Sequence, residues 1–230
     1  MAGIPATSKA VIFEKQGGPE VLEYRTDYPS PPAPKEGQLL VKTNLVGVNF
    51  IDTYFRSGLY PSALPRVLGQ EGTGTVVAVG GAKSPYGFKE GDRVIWFGPS
   101  TYAEYALAPA EKTIKIPDWI DEKELLASFL SGMTVLSLAR ETYPVKKGDW
   151  VLLHAAAGGA GFLFTQILKH LGAHVIGTAG GPEKVELVKS LGADVVIDYR
   201  SEEGKDWVKK VKEVTHGQGV DGMSTLSLIF

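Results

Sequence analysis

A glycine-rich turn between an apolar run and a helical pattern is the clearest chemical signal in the sequence. Residues 151–161 read VLLHAAAGGAG, and the apolar residues at their start predict a buried strand that ends at the turn. In nucleotide-binding folds, such glycines let the backbone approach a pyrophosphate, and the following helix offers unpaired N–H groups and a favourable dipole. The spacing G-x-G-x-x-G falls here on Ala156, Gly158 and Gly161, so alanine replaces the first glycine. We interpret the turn as a dinucleotide-binding site; an unrelated strand–turn–helix is the alternative.

The second predicted strand ends without an acidic residue. NAD-binding folds usually place Asp or Glu there, about 20 residues after the glycines, to bind the ribose 2′-hydroxyl. Here residues 174–181 read HVIGTAGG, and the next acid, Glu183, lies inside the following predicted helix. A 2′-phosphate is not repelled at such a site, and Lys184, Tyr199 and Arg200 could contact it. The pattern favours NADPH over NADH, with solvated surface charges as the alternative reading of Lys184 and Arg200.

Composition and charge exclude several other chemistries. The 230 residues include 24 basic and 26 acidic side chains, and a net charge of −2 argues against a protein that coats nucleic acid or anionic membrane. The absence of cysteine excludes disulfides, iron–sulfur clusters, thiol nucleophiles and thiolate zinc sites. The four histidines form no zinc-binding pattern, so no metal site is predicted. The first residues do not read as a signal peptide, and we expect a cytoplasmic protein.

One uncharged stretch has the length of a membrane span. Residues 150–168 contain no charged side chain, and 19 residues would reach across a bilayer. The stretch also contains a histidine, a glutamine and three glycines. We therefore expect a buried strand, a turn and a buried helix face rather than a membrane helix.

The first half of the chain is predicted to be rich in β-structure. Short β-prone runs alternate with turn residues, and a short helix is expected near Asp52, ahead of Gly58. Many short strands with turns between them suggest an antiparallel barrel. The predicted strands are 8–14, 39–48, 73–79, 93–97 and 102–107.

From residue 121 onward the pattern changes to helices and then to alternating strands and helices. Asp121 and Glu124 have the spacing of a capping box, followed by helical patterns at 125–130 and 133–138. Repeated β–α–β units then predict a parallel, doubly wound sheet. The predicted strands are 150–154, 174–178, 193–197 and a fourth that begins at 219–221; the helices are 160–171, 182–191 and 203–215.

Three separated motifs together resemble the zeta-crystallin-type quinone oxidoreductases, zinc-independent members of the medium-chain dehydrogenase/reductase superfamily. Around the glycine turn, the residues at 148, 149, 152, 156–159, 161, 166 and 169 match that family's signature. Residues 69–80, GQEGTGTVVAVG, resemble the superfamily pattern G-H-E-x-x-G-x-V-x-x-V-G, with Gln70 in place of the zinc-binding histidine. Residues 49–60, NFIDTYFRSGLY, resemble the family's N-x-x-D-x-Y-x-R-x-G-x-Y segment.

The resemblance implies an α/β protein with two domains. A GroES-like β-barrel catalytic domain would occupy residues 1–124, and an incomplete, partial Rossmann-type parallel sheet that binds NADP would occupy residues 125–230. The implied activity is hydride transfer from NADPH to a quinone or an α,β-unsaturated carbonyl. The family also forms homodimers through a later strand of the sheet, so this dimer is in doubt for the present chain.

The resemblance also assigns site residues by position. Tyr54 is the first choice for orienting the substrate or supplying a proton; packing is its alternative role. Asp52 and Arg56 are four residues apart, so an intrahelical ion pair is as plausible as catalysis. The implied cleft residues are Asn49, Asp52, Tyr54, Arg56 and Tyr60. The implied cofactor-binding residues are Thr134, Ala157, Gly158, Gly159, Ala160, Gly161, Gly180, Lys184 and Tyr199. The chain departs from the family at Ser131 and at the pair Gly180–Gly181, where small polar residues often bind the 2′-phosphate.

The end of the sequence also departs from the family pattern. At about 30 residues for each β–α–β unit, a complete six-strand domain would need roughly 90 more residues. The tail 222–230 resembles a frame-shifted, alternatively spliced or mis-predicted end. Two alternatives to an active reductase therefore stand: a noncatalytic NADPH-binding or structural protein of the crystallin kind, and an inactive fragment of a longer reductase.

Overall fold

The chain divides into two compact units. A computed structural model describes residues 4–81 and 86–225 and places the units at Met1–Ala127 and Ser128–Phe230. The domain limits 1–124 and 125–230 expected from the sequence lie within one helical turn of this division. Residues 226–230 of the divergent tail lie outside the described residues.

The first unit is built from antiparallel strands in two sheets. One sheet has five strands in the order β7-β3-β5-β6-β8, and the other has three in the order β2-β1-β4. A backbone bridge between Ala10 and Ala103 joins the two sheets. The strands are β1 (Thr7–Phe13), β2 (Glu23–Pro29), β3 (Gln38–Val46), β4 (Arg66–Val67), β5 (Glu71–Val79), β6 (Arg93–Phe97), β7 (Tyr105–Pro109) and β8 (Thr113–Lys115).

The larger sheet of the first unit buries one face of each strand. Alternate residues of β3, β6 and β7 point into one apolar cluster, as the two-residue period of a strand requires. Trp96 is the largest of its fully buried side chains. A second cluster around Phe13 and Leu68 packs against Phe55 of helix α1 (Phe50–Ser57), which fixes this helix on the smaller sheet.

The second unit contains a parallel sheet of four strands, β9 (Trp150–His154), β10 (His174–Ala179), β11 (Val195–Asp198) and β12 (Gly222–Thr225). Their spatial order is β11-β10-β9-β12, so the strand order reverses between β9 and β12. This is the 3-2-1-4 order of the first half of a dinucleotide-binding fold. The helices of the chain's second half are α2 (Glu122–Ser137), α3 (Gly159–His170), α4 (Pro182–Ser190) and α5 (Trp207–Val214).

Strand β9 is buried on both faces, which explains the long uncharged run in the sequence. Val151 and Leu153 pack in a cluster with Phe164 of α3, whereas Leu152 packs on the other side with Val211 of α5. Because helices cover both faces of the strand, its sequence is continuously apolar. Within the described ranges, no helix is both long and apolar enough to cross a membrane.

Several sequence-based boundaries differ from the structure for identifiable reasons. The strand predicted from Tyr102 begins at Tyr105. The two helices predicted over 125–138 form one helix, α2, because a single glycine at Gly132 costs a helix only about 1 kcal/mol. Gly219 has a φ of 84° and cannot extend, so the fourth parallel strand starts at Gly222 instead. The helix predicted from residue 203 begins with a 3₁₀ turn and becomes α5 at Trp207.

The predicted cap of α2 is confirmed. Asp121 Oδ1 accepts hydrogen bonds from the backbone N–H groups of Lys123 (2.9 Å) and Glu124 (3.1 Å). These N–H groups have no partner within the helix, so the carboxylate satisfies two otherwise unpaired donors.

Loss of this cap should lower stability. Asp121→Ala is expected to reduce the free energy of unfolding by about 1 kcal/mol, measured by urea unfolding, because the two donors lose their acceptor. Asp121→Asn keeps an oxygen acceptor and should remain close to the wild type. Equal destabilisation by alanine and asparagine would contradict the capping role.

Candidate functional site

The turn after β9 is shaped by backbone hydrogen bonds. Ala155 has a φ of 53°, in the left-handed region, and its carbonyl accepts from Gly158 N at 2.9 Å. Ala156 N donates to the carbonyl of Thr178 in β10 at 3.0 Å. The turn is thereby fixed to both central strands before α3 begins at Gly159.

Close packing of α3 on the sheet requires glycine at position 161. A Cβ built on Gly161 would lie 2.8 Å from Ala156 Cα and even closer to the Ala155 carbonyl oxygen. Ala156, which replaces the first glycine of the fingerprint, is fully buried. Its methyl group fits because Gly177 lies opposite: a Cβ built there would be 3.1 Å from the Ala156 Cβ.

The N-terminus of α3 is open and carries no acidic side chain. Its first turn contains no Asp or Glu, and no side chain of the described residues caps it. Gly158 and Gly159 are exposed, and a Cβ built on Gly159 would meet nothing within 4 Å. Unpaired N–H groups with a positive dipole form a binding site for an anion such as a phosphate. Ala157 and Ala160 are half-buried beside them.

The structure brings Tyr199 and Arg200 next to Gly180, at the end of β10. A Cβ built on Gly180 would be 2.5 Å from the Tyr199 hydroxyl oxygen and 3.0 Å from Arg200 Nε. Side chains of the segment after β11 therefore lie directly over the turn that precedes α4. Lys184 is exposed in the first turn of α4. Three of the residues expected around a 2′-phosphate, Gly180, Tyr199 and Arg200, thus lie together at the carboxyl edge of β10 and β11.

Sequence reasoning missed Asp198 at this edge. Its Oδ1 accepts hydrogen bonds from Gly181 N at 3.0 Å and from Arg200 N at 2.9 Å. The backbone N–H groups of Gly181 and Arg200 hold the pKa of Asp198 below its usual value, so the carboxylate is ionised at neutral pH. The sequence signal that could have identified Asp198 is an acidic residue at the end of the third parallel strand, whereas the NAD-binding pattern has its acid at the end of the second.

Thr134 is not brought into these contacts. It is exposed on α2, and its hydroxyl donates to Leu130 O of the same helix at 2.8 Å. Its assignment to the nicotinamide continues to rest on the family resemblance.

In the first unit, the start of α1 carries a buried hydrogen-bonded network. Asp52 is 5% exposed, and its Oδ2 accepts from Asn49 N (3.0 Å) and from the Tyr102 hydroxyl (2.7 Å). Asn49 caps the helix, and its Nδ2 donates to Glu71 Oε1 at 2.7 Å. Burial and the bond to Asp52 raise the pKa of Tyr102, so its hydroxyl stays protonated. Sequence reasoning did not single out Tyr102, which lies 50 residues from its partner.

The ion pair suggested between Asp52 and Arg56 does not form among the described residues. Asp52 is engaged by Asn49 and Tyr102, whereas Arg56 Nε donates to the carbonyl of Gly17 at 3.2 Å. Arg56 therefore ties α1 to the loop after β1.

An aromatic cluster covers the exposed side of α1. The ring of Tyr54 lies 5.5 Å from that of Phe50 and 5.3 Å from that of Tyr60, between centroids. Phe50 is 70% exposed and Tyr60 is 40% exposed. Exposed aromatic rings at these separations offer flat apolar surface to a ligand. The structure thus places Tyr54 and Tyr60 together, beside the Asn49–Asp52 network.

His154 joins the ends of the two central parallel strands. Its Nδ1 lies 3.0 Å from Thr178 Oγ1, and its ring meets Trp207 edge-on at 5.0 Å. Burial lowers the pKa of the imidazole, so the ring stays neutral at a pH where a free histidine begins to protonate.

Comparison with known proteins supports the fold in both units. Residues 35–118 match the family model of the alcohol dehydrogenase GroES-like domain, and residues 159–226 match that of the zinc-binding dehydrogenases. The chain is 44% identical over 214 residues to a quinone oxidoreductase of Pseudomonas aeruginosa, covering 92% of this chain and 64% of the relative. It therefore spans less than two thirds of that relative's length.

Two solved structures extend the comparison. The crystal structure of Escherichia coli quinone oxidoreductase complexed with NADPH has a TM-score of 0.86 and 41% identity, with 93% of this chain and 64% of that chain covered. The structure of a probable oxidoreductase from Mycobacterium abscessus has a TM-score of 0.80 and 34% identity, with 94% and 68% covered. The fold is thus a GroES-like β-barrel unit followed by a Rossmann-type parallel sheet, as the sequence predicted. It defines a medium-chain dehydrogenase/reductase.

Within that superfamily, the chain belongs to the quinone oxidoreductase family. The relatives that carry this name include proteins that are 37–44% identical to it over more than nine tenths of its length.

A test of the glycine contact compares two positions in the same helix. Gly161→Ala should destabilise the fold by about 1–3 kcal/mol, because the new methyl group overlaps the backbone at residues 155 and 156. Gly159→Ala adds the same methyl group into open space and should unfold like the wild type. Urea unfolding measures both, and equal stability of the two variants would contradict the packing argument.

The neutral state of His154 predicts a dependence of stability on pH. The unfolded chain binds a proton at this residue near its ordinary pKa of 6.5, whereas the folded chain does so only at lower pH. The free energy of unfolding should therefore fall as pH drops from 7.5 to 5. His154→Gln, which does not titrate, should make this fall smaller; an unchanged pH profile would show that His154 does not contribute.

Proposed function

We propose that this chain is an NADPH-dependent reductase that transfers a hydride to quinones or α,β-unsaturated carbonyls without zinc. The observation that carries the proposal is the open, acid-free turn between β9 and α3, which lies beside the point where the parallel strand order reverses. Ligands of open α/β sheets bind at the carboxyl ends of the strands near such a reversal. The names of the relatives and the NADPH complex of the Escherichia coli enzyme supply the activity and the cofactor.

The residues at the turn fit the phosphates of a dinucleotide. The pyrophosphate would bind the backbone at Ala157, Gly158, Gly159, Ala160 and Gly161; Gly158 and Gly159 are exposed, and the first turn of the helix carries no acid that would repel it. The 2′-phosphate would bind at Gly180, Lys184 and Tyr199, with Arg200 beside them. Thr134 would contact the nicotinamide, by family resemblance. NADPH, when bound, supplies the hydride.

The aromatic cluster on α1 would hold the substrate. Tyr54 and Tyr60 present adjacent rings to a flat quinone or enone. Hydride addition leaves an oxyanion that must gain a proton, and we assign its donation or orientation to the hydroxyl of Tyr54. Asn49 and Asp52 are engaged within the protein, so they would position α1 rather than transfer the proton. Arg56 would anchor the same helix through Gly17.

Zinc independence follows from the residues at the motif that would bind the metal. The sequence contains no cysteine, and Gln70 stands where zinc-dependent relatives have a histidine. Gln70 is buried, and its Nε2 has no hydrogen-bond partner among the described residues. An amide nitrogen does not ligate zinc as an imidazole does, so a polar side chain or solvent must protonate the carbonyl oxygen.

The proposal also covers where and in what form the reductase acts. We assign it to the cytoplasm and to the zeta-crystallin type of the family, with a small quinone or enone as its partner. The homodimer of the family is an open question for this chain, and gel filtration with light scattering would decide it.

A cofactor titration tests the proposal directly. NADPH fluorescence should show saturable binding to the chain, with a raised melting temperature and weaker binding of NADH. Oxidation of NADPH with an ortho-quinone should exceed that of NADH several-fold. Equal rates would contradict the phosphate site, binding without turnover would favour a noncatalytic nucleotide-binding protein, and absence of binding would refute the proposal.

Removal of one hydroxyl tests the role of Tyr54. Tyr54→Phe should lower kcat at least about tenfold if the hydroxyl supplies the proton, with an unchanged Kd for NADPH. Tyr24→Phe is the matched control, because Tyr24 is 65% exposed on β2 outside the proposed site. Equal kcat for both variants would reduce Tyr54 to a packing role.

A further inference from the structure

Asp198 occupies the position next to the missing acid of the NAD-binding pattern. It pairs in parallel register with Ala179, the last residue of β10. NAD-binding folds carry their ribose-binding acid at the end of that second strand. Neighbouring strands lie about 4.8 Å apart, so Asp198 brings a carboxylate to the same edge from the third strand.

The two oxygens of Asp198 have different roles. Oδ1 accepts from both Gly181 N and Arg200 N, and so joins the turn before α4 to the segment that carries Tyr199. Oδ2 accepts no hydrogen bond from any residue in the ranges 4–81 and 86–225. One oxygen therefore shapes the two turns, and the other remains available to a ligand.

An available carboxylate oxygen affects the two cofactors in opposite ways. It can accept a hydrogen bond from the ribose 2′-hydroxyl of NADH. It repels the 2′-phosphate of NADPH, whose charge Lys184 and Arg200 attract. Selectivity at this edge is then a difference between these attractions and the repulsion by Asp198.

We propose that Asp198 is a specificity-determining residue that limits the preference of this chain for NADPH and sustains its affinity for NADH. The proposal rests on the proposed cofactor site. It adds that the acid that sets the selectivity comes from β11, while glycines follow the last residue of β10.

The test removes the negative charge of the Asp198 side chain and keeps an oxygen that can accept hydrogen bonds. Asp198→Asn retains an oxygen for the two backbone N–H groups and removes the negative charge. The ratio of the Kd for NADH to the Kd for NADPH, measured by fluorescence titration, should rise at least about fourfold, the effect of one unit charge at roughly 5 Å in bulk water. The rise should shrink at 0.5 M salt, which screens charges but leaves turn geometry intact.

Two further variants keep the result interpretable. Asp198→Ala removes both charge and acceptor, and should raise the same ratio while weakening both cofactors. Glu213→Gln on α5 changes the net charge equally and should leave the ratio at its wild-type value, since the Glu213 carboxylate pairs with Lys210 of the same helix at 3.6 Å.

The outcomes separate this inference from the proposed function. If wild-type protein binds neither cofactor, the proposed function fails and the role of Asp198 fails with it. If wild-type protein binds NADPH but the ratio stays constant or falls in Asp198→Asn, with an unchanged melting temperature, only the role of Asp198 is overturned.

Discussion

The second unit depends on the contact between the start of α3 and the turn after β9. The helix approaches the turn at Ala155 and Ala156 so closely that a side-chain atom on Gly161 would overlap the turn backbone. This approach places the first turn of α3 next to the turn that follows β9. The same contact holds α3 against β9, where Val151, Leu153 and Phe164 pack in one buried cluster. Core packing and the shape of the anion site are therefore consequences of one steric constraint.

Each unit uses one carboxylate oxygen to join segments that are distant in sequence. In the first unit, Asp52 Oδ2 joins the N-terminus of α1 to Tyr102. In the second, Asp198 Oδ1 joins the turn before α4 to Arg200. A charged acceptor makes stronger hydrogen bonds than a neutral one. These hydrogen bonds position the loops that carry the candidate site residues, and the sequence contains no cysteine with which to form a disulfide.

The sequence predicted those elements whose signal is local. The strand Trp150–His154 and the start of α4 at Pro182 were placed to the residue, because an apolar run and a helix-starting proline act over a few positions. Three strands, β2, β4 and β8, were missed. Most residues of β2 and β8 are exposed, and β4 has only two residues, which pair with the distant β1.

In the candidate site, too, the features with a local sequence signal were predicted and the long-range contacts were not. The glycine turn was visible as a motif, and the structure confirms its strand–turn–helix form. The hydrogen bonds from Tyr102 to Asp52 and from Gly181 to Asp198 cross 50 and 17 residues, and no spacing rule anticipates them. The ion pair suggested between Asp52 and Arg56 shows the same limit. Helical spacing permits this pair, but Asp52 instead accepts from Tyr102 and Arg56 donates to Gly17, both distant in the sequence.

The pairing of Ala156 with Gly177 constrains how this region can change over evolutionary time. Ala156, in the turn after β9, lies against Gly177 of β10, where a second Cβ would be only 3.1 Å from the Ala156 Cβ. A glycine at position 156 would restore the common G-x-G-x-x-G fingerprint at little steric cost. A Cβ at position 177 would then no longer meet the methyl group of residue 156. Val188, 2.8 Å from the same built Cβ, must also shrink before an alanine at 177 fits. The effects of substitutions at positions 156 and 177 are therefore coupled, so a change at one alters which residues the other tolerates.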